Sequence, residues 1–72
     1  MEQEKCIVIL RIDTPAESIA KFMTSLIYAN LDFIWCNKYR EVMTYCKYEY
    51  AYNLAISSGI KQEHIIKQNE QL

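Results

Sequence analysis

The residues able to do chemistry by type are few: Cys6, Cys36, Cys46 and His64, with Glu63 beside the histidine. A Cys/His set can hold zinc, but it does so through short spacings such as CxxC or HxxxH, and the chain has neither. A Cys–His pair can act as nucleophile and base. That needs a third group to orient the base and a pocket to hold substrate. A chain of 72 residues has little room for either. The expectation is a protein without catalysis, without metal and without cofactor. The cysteines are odd in number, and the charged MEQEK is followed by an apolar run, CIVIL, too short for a signal h-region or a membrane span. The expected setting is therefore cytoplasmic and reducing, with the cysteines behaving as small buried apolar groups.

The second chemical cluster is aromatic and basic. Lys38, Arg40 and Lys47 interleave with Tyr39, Tyr45 and Tyr48, and Trp35 and Met43 lie close by. Tyr, Trp, Met and Arg are the residue types enriched at the centres of protein interfaces. Aromatics with cations are also how single-stranded nucleic acid is held. Charge weighs between the two readings. Nine acidic residues against eight basic ones leave a net charge of −1, a poor start for phosphate neutralisation. The single glycine excludes a glycine-rich phosphate loop.

These side chains must be positioned by a single domain spanning residues 1–72, globular because half of the chain is apolar. The polar KQNEQL at 67–72 reads as a frayed tail. CIVILRI (6–12) reads as a strand apolar on both faces. Cys6, Val8, Leu10 and Ile12 point one way, Ile7 and Ile9 the other, as suits a central strand. A helix is expected over 15–29. Thr14 is its N-cap, Pro15 its first residue, and Glu17 completes a capping box. Ile19, Phe22, Met23, Leu26 and Ile27 form one apolar stripe, and Asn30 is a left-handed terminator.

LDFIWCN (31–37) reads as a second strand, with Leu31, Phe33 and Trp35 on one face and Ile34 and Cys36 on the other. EVMTYCKY (41–48) reads as a third. A helix then follows from about Tyr48, with Ala51, Leu54, Ala55 and Ser58 inward and Gly59 and Ile60 closing it. EHIIKQ (63–68) supplies a last strand. The order β-α-β-β-α-β is the split βαβ of an α+β, ferredoxin-like fold, with two helices on one face of an antiparallel sheet and the first and third strands central. Periodicity also allows one long helix over 37–58, with Tyr39, Val42, Met43, Cys46 and Tyr50 as its stripe, giving β-α-β-α instead.

IVILRI, then Asp13-Thr14-Pro15, then Leu26 and Asn30-Leu31-Asp32-Phe33-Ile34, then LAISSGI, resemble a small regulatory domain of the ACT kind over residues 6–60. Such domains open their first helix with Asp-x-Pro-Gly beside a bound amino acid, and this chain has Ala16 at the glycine position. The resemblance implies a small-molecule sensor using Asp13, Thr14 and Ala16 at a dimer interface.

The function expected from the residues is binding rather than chemistry: a small regulatory subunit or inhibitor. It would bury an apolar sheet face against a protein partner or a second copy. Trp35, Met43 and Tyr45 would anchor the contact, Tyr39 would take part in it, and Lys38, Arg40 and Lys47 would orient it from the rim. The alternatives are a single-stranded nucleic-acid contact through the same surface and the ACT-like sensor. No membrane is involved in any of these readings.

Overall fold

The computed structural model describes residues 4–66. Branched residues in CIVIL form β1 (Cys6–Leu10), whose Cys6, Val8 and Leu10 are buried while Ile7 and Ile9 are half-buried. Helix α1 (Ala16–Tyr28) follows, and β2 (Phe33–Cys36) and β3 (Glu41–Thr44) are joined by a four-residue turn at 37–40. Helix α2 (Tyr48–Ser57), a 3₁₀ turn (Gln62–His64) and β4 (Ile65–Ile66) complete the described chain. The long-helix alternative over 37–58 is thus overturned. The strand ends at Thr44 and the helix begins at Tyr48, because Val42 and Thr44 alternate inward against the core at period two.

The four strands form one antiparallel sheet in the order β2-β3-β1-β4, with the first and third strands central. Register fixes its two faces, since directly opposed residues point to the same side. Val8 opposes Val42, which opposes Trp35. This side packs on Ile19, Phe22 and Leu26 of α1 and on Ala51 and Ala55 of α2. Met43 lies between Ile7 and Ile34, and Ile9 between Glu41 and Ile66, on the side that neither helix covers.

Both helices end in the same way. Asn30, at φ 63°, sends its N–H to Ile27 O, and the Leu31 N–H reaches Leu26 O. Gly59, at φ 103°, sends its N–H to Ile56 O, and the Ile60 N–H reaches Ala55 O. These paired bonds satisfy carbonyls that the last helical turn would leave bare. They also turn Ile60 into the core, where it is 1% exposed.

The start of α1 departs from the sequence expectation. Pro15 is the cap, its carbonyl accepting the N–H groups of Ser18 and Ile19. Thr14 forms no capping box. Its hydroxyl turns back to Arg11 O at 2.7 Å, closing the turn between β1 and α1. Ile12 was expected inward with Leu10, but it lies in that turn beyond the strand, at 84% exposed. Ile27, expected in the buried stripe, is also exposed, because the core ends at Leu26 on that turn of the helix. The expected tail at 67–72 and the last two residues of the 63–68 strand lie outside the described residues.

Candidate interaction surface

The uncovered face of the sheet is built from alternate residues of its strands: Ile7 and Ile9 of β1, Ile34 and Cys36 of β2, Glu41 and Met43 of β3, and Ile66 of β4. Ile34 is 55% exposed and Ile66 41%, while Ile7, Ile9 and Met43 are half-buried. Small domains rarely leave such a continuous apolar surface to water without a use for it. One carboxylate, Glu41, sits among these side chains, opposite Ile9.

The sequence-predicted contact residues divide between two faces and a turn. Met43 is at the centre of the open face, flanked by Ile7 and Ile34. Trp35 is not there. It opposes Val42 and packs half-buried against the core from the helix side. The expected anchor set is therefore split, because Trp35 and Met43 differ in strand parity. Tyr45 follows the end of β3, in a bend, half-buried. Lys38 and Tyr39 lie in the β2–β3 turn, with Lys38 Nζ 5.4 Å from the Tyr39 ring centroid. Lys47 is exposed and caps α2 with its carbonyl, which accepts the Tyr50 and Ala51 N–H groups.

Arg40 was expected at the rim and instead ties the fold together. It adopts φ 52°, and its carbonyl accepts the Leu10 N–H at 2.8 Å. Its guanidinium stacks over Trp35 at 5.6 Å and donates to Ile12 O and, at the limit of hydrogen-bond reach, to Thr14 O. A cation over an indole face is a favourable pair. Arg40 thereby engages the very turn that carries the ligand candidates. Thr14 is buried with its hydroxyl already bonded to Arg11 O, so it offers no free group to a ligand. Asp13 is exposed and lies 3.9 Å from Arg11, and Ala16 is exposed at the start of α1.

The thiols and the histidine are kept apart. The His64 carbonyl accepts the Arg11 N–H at the C-terminal end of β1, whereas Cys6 begins that strand. Five strand residues separate the two ends by roughly 17 Å. Cys36 lies on the far edge strand, three strand spacings or roughly 14 Å from β4. His64 is half-buried with an unbonded Nδ1. Among the described residues no cluster of three or more His, Cys, Asp or Glu side chains is placed to hold a metal ion.

Cys6 and Cys46 do meet. The Cys6 thiol donates to Cys46 Sγ, and burial, reinforced by Cys46, pushes the Cys6 pKa up to about 11. Burial also raises Cys46, opposed by hydrogen bonds from the Cys6 thiol and the Ala51 N–H. Sequence reasoning missed this pair. Its signal was the shared inward parity of Cys6, Thr44 and Cys46, which only a known β1–β3 register turns into proximity.

Among the described residues no helix is long and apolar enough to cross a membrane. Compared with protein-family models, with curated proteins and with solved structures, the chain matches none.

Proposed function

We propose that this chain is a non-catalytic protein-interaction module of the regulatory-subunit or inhibitor kind, working through the open face of its sheet. The observation that carries the reading is the row Ile7–Met43–Ile34, running across three strands on the side the helices leave uncovered. A ferredoxin-like βαββαβ domain underlies it. In support, β1 and β2 are both antiparallel to β3, which lies between them, so they are parallel to each other with a strand interposed. The same holds for β3 and β4 about β1. Two interlocked split βαβ units are the signature of that fold.

The occupant best supported by the face itself is a second copy of the chain. Along the strands, Glu41 lies on one side of this row, two residues before Met43, and Lys5 lies on the other, two residues before Ile7. A two-fold axis across the strands sets Lys5 of one copy over Glu41 of the next, around an apolar centre that meets itself. Sedimentation equilibrium of the wild type and of Met43→Lys tests this. The wild type self-associates reversibly at micromolar concentration, and the variant stays monomeric with an unchanged fold. A wild type that remains monomeric throughout contradicts the second-copy reading.

The nucleic-acid reading draws less support. None of Ile7, Ile9, Ile34, Cys36, Glu41 and Met43 is aromatic, so the strands offer bases no stacking platform there. Tight binding of single-stranded RNA that weakens with added salt would favour it over the protein interface. The ACT-like sensor would show itself as a rise in melting temperature with an added amino acid. The engagement of Thr14 and Arg40 within the turn weighs against it.

A further inference from the structure

Cys6 and Cys46 are 40 positions apart in sequence and are brought together by two separate features. The β1–β3 register sets Cys6 opposite Thr44, and the chain bends after β3 so that Cys46 returns over the start of β1. The two thiols are within hydrogen-bonding reach. Both line a surface concavity of about 380 Å³, together with Glu4, Lys5, Lys47 and Tyr48. Cys46 is half-buried and Cys6 is buried, so Cys46 is the more accessible of the two. Cys36 lies on the opposite side of the sheet, away from both.

We propose that Cys6 and Cys46 form a dithiol site that hydrogen peroxide closes to an intramolecular disulfide. Cys46 loses its proton to solvent, and its sulfur displaces hydroxide from the peroxide, giving a sulfenic acid and water. Cys6 sulfur then attacks the Cys46 sulfur, the S–O bond breaks, and the second oxygen leaves as water. One peroxide is reduced to two waters, and the two thiols together lose two hydrogens.

The neighbours assign these roles. Cys46 is the more accessible thiol, and the Cys6 side chain and the Ala51 backbone both favour its ionised form against the burial that raises it. Burial holds the Cys6 thiol protonated until its partner has been oxidised. The resulting bond would tie the beginning of β1 to the turn that launches α2. It lies on the helix side of the sheet, so its test is independent of what the open face binds.

The test exposes the reduced full chain to hydrogen peroxide, blocks remaining thiols with N-ethylmaleimide, and maps links by mass spectrometry. The expected product is a monomer with one Cys6–Cys46 link and one blocked thiol at Cys36, reversed by dithiothreitol. Cys36→Ser forms the same link, and Cys46→Ser forms none. The melting temperature of the oxidised wild type rises by on the order of 10 °C. Links that use Cys36, or oxidation of Cys46 to sulfinic acid with no link, overturn the proposal. Because Cys6→Ser places a hydroxyl in a buried position, the wild-type link map and Cys46→Ser carry the decision.

Discussion

Thr44 is fully buried, yet it carries a hydroxyl, and that hydroxyl donates to Asp32 O at 2.6 Å. It ties the entry of β2 to the end of β3. Thr44→Val keeps the shape and leaves the Asp32 carbonyl without this donor, so urea unfolding should show a loss of about 1–2 kcal/mol. No loss would mean that the bond contributes nothing. Cys6 gives a pH prediction. Its folded pKa of about 11 lies above the ordinary thiol value of 9.0, so the unfolded chain ionises first as pH rises. Stability is fully present below pH 9 and falls between 9 and 11. Thermal melts of the reduced protein should show that fall, and Cys6→Ala, compared with its own value at neutral pH, should show less of it. At this scale the sequence is least transparent. Arg40 looked like a rim cation, because nothing in NKYR reveals that its guanidinium would reach Ile12 and Thr14 across the sheet end. Thr14 looked like a cap for the same reason: a hydroxyl beside a proline has two backbone targets, and the turn to Arg11 won.

At the scale of elements the helix terminators were legible, since only a few residue types tolerate positive φ. Asn30 and Gly59 stand at φ 63° and 103° as their positions in the sequence imply. The two should respond differently to substitution. At Gly59 a β-carbon would find ordinary space, with Ser18 Oγ 3.8 Å away, so Gly59→Ala tests backbone strain alone. A loss of about 1–3 kcal/mol is expected by chemical denaturation. Asn30→Gly should change stability by about 0.5 kcal/mol or less, because Asn already suits that region. Equal losses at the two sites would contradict this account of the caps. The β3–α2 junction was harder to read. Tyr39, Val42, Met43, Cys46 and Tyr50 fit a helical stripe as well as two strand faces, and periodicity over so few residues does not separate them. The three tyrosines that follow all lie on α2 and are divided by its faces. Tyr48 and Tyr52 approach as a tilted ring pair at 6.1 Å against the core, while Tyr50 is exposed.

At the scale of the whole molecule the claim is that one face of the sheet exists to be covered. The two-sided apolar character of CIVIL already implied a central strand with something on each side. The structure supplies the helices for one side only. What the sequence could not assign was the membership of each face, because parity depends on where each strand begins. That is why Trp35 was grouped with Met43 although they point to opposite sides. Side-chain methyl NMR on dilution tests the face directly. With the isoleucine and methionine methyls labelled, the account predicts concentration-dependent shifts at Ile7, Ile9, Ile34 and Met43, with Ile19 and Ile60 in the core unmoved. Shifts confined to Ile27 and Ile56 on the helices, or none at any concentration, would contradict it.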